Sequence, residues 1–469
     1  MKEISKNRFD ALAGYIREPG TTFIVEELCW FSSDNDVLLG MLARDRTDGD
    51  FSGLILGRDR RGRFRAVHVF VSIPTLDSAK SRLQTDIEAW SIRPVEDFYQ
   101  GDERGTPVDV FRPIVPTTKF HPSFERVLTS EGLSPSRAII ESMMPYFEDI
   151  DGNFVEQFQS TAFDARFWEL YLFAALTEDG FAFDRTHHAP DYVCRRFSEE
   201  IFVEAVTVNP TMANGVITEP RVPTNPNDLR RYLQEYMPIK WGSALTSKLK
   251  KQYWNLPHVV GKPIVLAIQD FHVHRAMTFT GGTLLPYLYG LSFTAMYDAE
   301  GNLSVTNHPK ESYTWGAKSI ESGFFDLPGA EYISAVLSNP TGTISKFNRM
   351  ATLAGMGSKD IRMIHHGFCH DMNPNASVPK AFTFDVNAPD YCETWTQGIN
   401  IAHNPNALHP IDIPFFEDAT HSFYREGKQV SMMAKFHPYS SQTTIVTPQR
   451  VSKSGFRPGF RLPKKSSRQ

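Results

Sequence analysis

Hydrophobic residues in the first part of the chain, from Thr22 to about Val71, alternate with polar residues along short runs. A period of two is typical of strands that bury one face. Turn-forming residues interrupt the alternation at three places: Ser33 to Asp36, Thr47 to Asp50 and Arg60 to Arg63. The pattern predicts an antiparallel meander, and a helix is predicted over 78–89. Together they make a predicted N-terminal β-rich domain of residues 1–125.

A helical period replaces the alternation in the next part of the chain. One helix is predicted at about 135–146, and the strongest helical signal follows over 160–177, where apolar residues recur at helical spacing. Ser160 or Thr161 is predicted to cap this second helix, because their hydroxyls accept hydrogen bonds from the free N–H groups of a first turn. Gly180 stands just past the predicted end.

Three strand-like runs with turn residues between them follow this helix, at 181–185, 192–195 and 201–208. The remaining elements of the region are predicted in this order: a Pro- and Asn-rich bridge over 209–227, a helical stretch over 228–253 broken near Pro238 and Gly242, and a buried strand over 263–268. Helix, hairpin, strand, helix and strand in succession indicate an α/β core. We assign this core to residues 126–280.

Short strands and loops rich in Asn, Pro, Gly and His characterise residues 281–449, a predicted mixed, β-rich C-terminal region. Its clearest elements are a hairpin of 291–297 with 303–306 and a helix over 345–353. Residues 450–469 contain seven Lys and Arg and no acid, which predicts a disordered basic tail that attracts polyanions. The predicted fold class is α/β, or α+β overall, with β-rich parts on both sides of the core.

Composition and charge exclude few functions. The chain has 469 residues, with 49 Lys and Arg against 54 Asp and Glu, and its net charge of -5 neither requires nor excludes a nucleic-acid partner. The four cysteines are far apart and fit neither a disulfide framework nor a zinc ribbon. No long apolar stretch and no apolar leader are visible, so we expect a soluble, cytoplasmic protein without a membrane partner.

Three carboxylates of the core are candidates for chemistry. Glu169 stands among apolar and aromatic residues in the strongest predicted helix, where a bare charge is costly to bury; a salt bridge to a core Arg or Lys is the alternative explanation. Asp191 begins one predicted strand, and Glu204 follows thirteen residues later in the next. Antiparallel pairing of these strands brings Asp191 and Glu204 within reach of a hard cation such as Mg²⁺ or Mn²⁺.

A helix with a buried Glu, then Pro-Asp at the start of a strand, then Glu in the next hydrophobic strand resembles the PD-(D/E)xK, or restriction-endonuclease-like, nuclease superfamily. The resemblance covers about 162–271. It implies that Glu169 is the helix Glu, Asp191 the motif Asp and Glu204 the motif Glu. It further implies a restriction-endonuclease-like mixed sheet, a metal held by these three carboxylates, and Mg²⁺- or Mn²⁺-assisted hydrolysis of phosphodiester bonds.

The chain departs from the superfamily at the motif lysine, because Val206 stands two residues after Glu204. Some members supply this lysine from the following helix, so Lys248 and Lys251 are candidates to replace it in catalysis. Both lysines also fit a solvated or phosphate-binding helix face, and the sequence leaves the choice open.

The leading hypothesis is a metal-dependent endonuclease with nucleic acid, in particular DNA, as its partner. A role in prokaryotic defence or DNA processing would follow from the resemblance, and a homodimer is a possible assembly. The alternative is a nucleic-acid-binding or scaffold protein that keeps the fold without catalysis. A third hypothesis is an unrelated hydrolase centred on the His-rich segment 364–371. We predict instead that this segment is a hydrogen-bonded loop without zinc, since Gly367 separates His366 from His370.

Overall fold

The computed structural model describes residues 1–105, 107–214, 216–412, 415–416 and 418–447, so the predicted basic tail of 450–469 lies outside the described residues. In these ranges the helices are α1 Lys6–Ala13, α2 Thr21–Ile24, α3 Leu76–Ser91, α4 Pro122–Thr129, α5 Ser134–Met143, α6 Phe154–Gln159, α7 Phe163–Glu178, α8 Pro226–Arg231, α9 Met237–Leu249, α10 Leu284–Tyr289 and α11 Ile344–Leu353. The strands are β1 Lys2–Ile4, β2 Val25–Ser32, β3 Leu38–Asp45, β4 Phe51–Arg58, β5 Phe64–Ile73, β6 Ala182–Asp184, β7 Tyr192–Arg196, β8 Glu199–Val208, β9 Met212–Ala213, β10 Val216–Ile217, β11 Ile264–Asp270, β12 Leu291–Tyr297, β13 Leu303–Pro309, β14 Ser312–Trp315, β15 Lys318–Glu321, β16 Ala335–Ser338, β17 Arg362–Cys369, β18 Lys380–Asp385, β19 Asn400–His403, β20 Thr420–Arg425, β21 Lys428–Met432 and β22 Pro438–Val446. None of the helices in the described ranges is long and apolar enough to cross a membrane.

The N-terminal part forms a five-stranded antiparallel sheet in the order β1-β2-β3-β4-β5, so the predicted meander is confirmed. The predicted helix is α3, and its Leu83 and Ile87 share a buried cluster with Leu42 of β3. The alternating pattern does not predict α1, which covers the opposite face with Phe9 and Leu12. The sheet is therefore packed on both faces.

An eight-stranded mixed sheet lies at the centre of the molecule, in the order β21-β20-β19-β16-β11-β8-β7-β6. β7 pairs antiparallel with both β6 and β8, whereas β8, β11 and β16 run parallel. α7 packs on one face, where the Trp168 indole donates a hydrogen bond to Ala267 O at 2.8 Å. α9 packs on the other face, where Leu245 shares a buried cluster with Val206 and Leu266.

The predicted cap of α7 is wrong. α7 begins at Phe163, after Ala162, and no side chain caps its first turn. Ser160 is otherwise engaged, because α6 ends immediately before it and its hydroxyl donates to Glu156 O at 2.7 Å. Thr161 lies inside the short link between the two helices, which the helical period alone cannot separate.

The predicted helix break near Gly242 is also wrong. A π-helical turn over Tyr232–Tyr236 leads into α9, which then continues through residue 242. A Cβ atom at Gly242 would lie 2.7 Å from the Tyr287 hydroxyl oxygen on α10. Glycine at this position therefore allows two helices to approach closely, and it does not end one.

Four strands of the C-terminal region extend the central sheet. β16 pairs with β11, and β19, β20 and β21 follow it, so the predicted boundary near residue 280 falls within the connections of one sheet. The predicted hairpin is present as β12 and β13, and the predicted helix is present as α11. β18, β17 and β22 form a further antiparallel sheet.

The His-rich segment is not a loop, because most of it is β17, the middle strand of that three-stranded sheet. The buried His365 ring contacts Tyr391 Oη at 2.9 Å and Ser441 Oγ at 2.8 Å, and burial lowers the pKa of His365 to about 3. His366 contacts a threonine hydroxyl of β22 at 3.0 Å, and His370, just past the strand, contacts a tyrosine hydroxyl at 3.0 Å. Each of the three rings thus has its own hydroxyl partner. The prediction of a loop is wrong because β18 and β22 pair with this segment on both sides.

A buried ion pair attaches α11 to the strands around it. Arg349 donates to both carboxylate oxygens of Glu393, at 2.8 and 2.7 Å, and to Thr443 Oγ1 of β22 at 2.7 Å. Lys346 Nζ lies 3.5 Å from the same carboxylate, and burial lowers the pKa of Lys346 to about 8. Although burial opposes it, Arg349 and Lys346 hold the pKa of Glu393 well below its usual range.

We expect Arg349→Met or Glu393→Leu to lower the free energy of unfolding by about 3–5 kcal/mol, because Glu393→Leu leaves two buried cations without their carboxylate and Arg349→Met leaves Glu393 only the more distant Lys346 as a cationic partner. The double variant should lose less than the sum of the two. Urea unfolding of the wild type, the two single variants and the double variant measures this. Arg82→Met, at the half-exposed Arg82–Asp86 pair of α3, is the control, and its loss of stability should be about 1 kcal/mol or less. A Glu393→Leu protein as stable as the control would contradict the assignment.

Candidate functional site

Four of the predicted site residues converge where α7, the β7–β8 hairpin and α9 meet. Glu169 lies on α7, Asp191 immediately precedes β7, Glu204 lies in the middle of β8, and Lys248 lies in the last turn of α9. α7 and α9 pack on opposite faces of the sheet, so the side chains approach the start of β7 from both sides.

The tight β7–β8 hairpin places Asp191 beside Glu204. The register pairs Tyr192 with Val203, so the preceding and following residues are neighbours across the two strands. Each carboxylate then accepts a hydrogen bond from the opposite backbone: Asp191 N–H donates to Glu204 Oε2 at 3.2 Å, and Ala205 N–H donates to Asp191 Oδ2 at 2.7 Å. These reciprocal bonds fix the two side chains relative to each other.

Glu204 is buried on the α9 face of the sheet, with 4% of its surface exposed. Its Oε1 atom accepts hydrogen bonds from Lys248 Nζ at 2.5 Å and from the Tyr253 hydroxyl at 2.6 Å. Val206, two residues later, belongs to the apolar cluster on the same face. α9 therefore supplies an ammonium group to the Glu204 carboxylate, whereas β8 itself has only Val206 at the position two residues later.

Glu169 is paired on its own helix. Arg166, three residues earlier, donates to Glu169 Oε2 at 2.8 Å, while the Tyr192 hydroxyl donates to the backbone Glu169 O at 2.6 Å. The salt bridge considered from the sequence is thus present, and no described residue donates to Glu169 Oε1. Glu169 is thus paired with Arg166 and also lies beside the carboxylates of Asp191 and Glu204.

The electrostatics reflect three carboxylates brought together in a buried region. Burial raises the pKa of Asp191 well above its usual range, and the Glu204 and Glu169 carboxylates raise it further. Burial likewise raises the pKa of Glu169, which Arg166 opposes. Burial disfavours the charged form of Lys248, but the surrounding carboxylates outweigh this and raise its pKa, so the ammonium stays protonated.

A narrow cleft of about 40 Å³ opens beside Asp191 and Glu169. Arg185, just after β6, lines this cleft and donates from Nη1 to Asp191 O at 3.0 Å. The mouth of the cleft carries acidic residues of the α5–α6 link, including Asp149 and Asp151. The candidate site is therefore a small, strongly charged recess and not an apolar pocket.

Lys251, the other predicted lysine, does not join this group. α9 ends at Leu249, and Lys251 is exposed in the turn that follows. Its side chain has no ion-pair partner among the residues that the structure describes. The end of the helix therefore decides between the two lysines, because only Lys248 remains on the turn that faces β8.

The donor set fits a hard divalent cation held by few protein ligands. No described residue donates a hydrogen bond to Asp191 Oδ1, and Glu204 Oε2 accepts only the long bond from Asp191 N–H, so lone pairs are available on both carboxylates. In the described ranges, no group of three or more His, Cys, Asp or Glu is arranged to hold a metal ion, so Glu169, Asp191 and Glu204 do not form the three-carboxylate metal site that the resemblance implies. Mg²⁺ suits such a site, because it keeps several waters and takes one or two carboxylates.

Sequence reasoning misses Arg166, Arg185 and Tyr253. Arg166 is signalled by its spacing of three residues before Glu169 on one helix. The other two carry no local signal, because their contacts depend on how the hairpin and the segment after α9 fold back.

Comparison of the chain with known protein families, with curated proteins and with solved structures finds no match in any of the three.

We expect Asp191→Asn to stabilise the metal-free protein at about pH 8, because an aspartate whose folded-state pKa lies above its unfolded value loses stability as the pH rises. The gain should shrink toward about pH 4, where Asp191 is protonated. Asp184→Asn on β6 is the control, since hydrogen bonds from Thr186 lower the pKa of Asp184 and its loss should destabilise at pH 8. Thermal unfolding against pH measures both; an Asp191→Asn protein destabilised like the control would contradict the assignment.

Proposed function

We propose that the protein is a metal-dependent nuclease that hydrolyses phosphodiester bonds of nucleic acid, DNA in particular. The observation that carries this proposal is the 2.5 Å contact between Lys248 Nζ and Glu204 Oε1. The superfamily that the chain resembles needs a lysine beside its motif carboxylates, and the strand position for it holds Val206. A lysine supplied by the following helix removes the main departure from the pattern.

The order of elements supports the same proposal. α7 carries Glu169, the β7–β8 hairpin carries Asp191 and Glu204, α9 carries Lys248, and β11 pairs parallel to β8. This succession of helix, hairpin, helix and strand presents the buried helix Glu, the Pro-Asp and the strand Glu in the order on which the resemblance rests. The restriction-endonuclease-like core remains part of the proposal.

The chain's own residues suggest how the site divides the work. Asp191 and Glu204 would hold Mg²⁺ or Mn²⁺, which when bound lowers the pKa of a water and neutralises charge on the phosphate. Lys248 is protonated and cannot take a proton from water. Its ammonium, fixed by Glu204 and directed from α9, instead orients the attacking water or stabilises negative charge on the phosphoryl oxygens.

Glu169 has a supporting role in this arrangement. Its pairing with Arg166 keeps one oxygen occupied, and its carboxylate raises the pKa of Asp191, so it favours a bound cation at that position. Tyr253 holds the same oxygen of Glu204 as Lys248 does and fixes its rotamer. These contacts leave Asp191 Oδ1 and Glu169 Oε1 without a hydrogen-bond donor among the described residues, and Asp191 has no salt-bridge partner that competes with a metal.

We expect Asp191→Asn and Glu204→Gln each to lower metal-dependent cleavage by about a hundredfold or more, because each removes a charged ligand while keeping its shape. Glu169→Gln should have a smaller effect. The assay is cleavage of duplex and single-stranded DNA and RNA with Mg²⁺ or Mn²⁺, and Asp184→Asn on the same sheet is the matched control. A wild-type protein that binds these substrates but cleaves none would favour the binding or scaffold alternative.

Substitutions of Lys248 and Lys251 should differ in their effect on turnover. We expect Lys248→Met to reduce turnover by about 10²–10³-fold while substrate binding stays within twofold, as for the loss of a donor that stabilises charge in the transition state. Lys251→Met, a matched change on the exposed turn after α9, should leave turnover unchanged. Single-turnover rates and binding isotherms on one substrate give both quantities. Equal rates for the two variants would exclude Lys248 as the replacement lysine.

A further inference from the structure

The guanidinium of Arg185 is held rigidly beside the candidate site. It stacks at 4.5 Å from the Tyr192 ring centroid and lies 5.3 Å from the ring centroids of both Phe147 and Phe183. Its Nη1 atom donates to Asp191 O at 3.0 Å. Aromatic contacts and one hydrogen bond thus fix the plane of the group before any ligand arrives.

One nitrogen of this guanidinium has no hydrogen-bond partner among the described residues. Arg185 Nη2 is buried, and it is the only arginine atom in that condition within the described ranges. Leaving a buried charged donor unsatisfied is costly, and such groups in native proteins usually have a reason. Because Arg185 lines the cleft next to Asp191, the missing partner is best supplied by a ligand that enters it.

The other cation of the cleft wall does not offer a comparable donor. Arg166 donates to Glu169 Oε2, Gln157 Oε1 and Asn153 Oδ1 with its three nitrogens. His188, at the mouth, contacts the Asp151 carboxylate at 2.9 Å. Arg185 is therefore the cleft cation whose geometry calls for an acceptor from outside the chain.

We propose that Arg185 binds the phosphate of the nucleic acid, with Nη2 donating to a non-bridging oxygen while Nη1 holds the backbone of Asp191. This assignment rests on the proposed nuclease function and names a substrate-binding residue within it. The planar two-nitrogen fork of arginine suits phosphate recognition, and one fork here joins the substrate to the metal-ligand segment. Glu148, Asp149 and Asp151 at the mouth oppose an anion, so a divalent cation should bind with the phosphate.

The test measures phosphate binding separately from cleavage. Thymidine 3′,5′-bisphosphate is titrated into the full chain by calorimetry, with and without Ca²⁺, and Mn²⁺ is titrated alone. We expect Arg185→Gln to weaken bisphosphate binding about ten- to a hundredfold, the range for a hydrogen bond to a charged group, and to leave Mn²⁺ affinity within twofold. Arg185→Lys keeps the charge on a single nitrogen and should fall between the wild type and Arg185→Gln.

Arg195→Gln is the matched control, because Arg195 is an exposed arginine of the adjacent β7 that pairs with Asp184 and Glu200. It removes the same charge without facing the cleft, and bisphosphate affinity should not change. Thermal unfolding of each variant establishes that it is folded. No binding of the bisphosphate by the wild type, or equal binding by Arg185→Gln, would overturn the assignment.

A parallel loss of Mn²⁺ affinity in Arg185→Gln would also overturn it, because Arg185 would then act only by positioning Asp191. The outcomes separate the two proposals. Bisphosphate binding that depends on Arg185 in a protein that cleaves no substrate keeps the Arg185 assignment and removes the nuclease. If the wild type cleaves nucleic acid but Arg185→Gln does not change bisphosphate affinity, the nuclease proposal is kept and the Arg185 assignment is removed.

Discussion

The compensation of one buried charge, on Glu204, organises the candidate site. A carboxylate that is 4% exposed in a hydrophobic strand must be neutralised by donors that fold around it. The donors come from three separate segments: the backbone before β7, the last turn of α9 and the segment that follows α9. Lys248 and Tyr253 are thereby held near Asp191 through Glu204, so the chemistry of the site and the packing of its surroundings depend on the same contacts.

Much of this arrangement is readable from the sequence because it follows from short-range periodicity. The alternation in β8 fixes which residues share a face with Glu204, and the hairpin register then brings Asp191 beside it. The choice between Lys248 and Lys251 is not readable in the same way. It depends on α9 ending at Leu249, and neither a glycine nor a proline marks that end.

In the remaining errors, a residue of the predicted feature has its partner in another element. Gly242 is placed for close contact with Tyr287, and the His-rich segment is a strand because β18 and β22 pair with it on both sides. Ser160 has the chemistry of a cap, but the carbonyl that its hydroxyl meets belongs to the preceding helix. In each case the residue type is informative, and its partner, distant or in a neighbouring element, decides what it does.

The pairing of β11 on both sides limits how the molecule can be divided. β8 contributes one neighbour from the segment that resembles a nuclease, and β16 contributes the other from beyond residue 330. A fragment that stopped near residue 280 would present the bare backbone edge of a wholly apolar strand interior, Ile264 to Ile268, to solvent. Exposed edges of this kind recruit other chains. The segment that carries the candidate site is therefore not a self-contained folding unit, because a strand from beyond residue 330 completes its sheet.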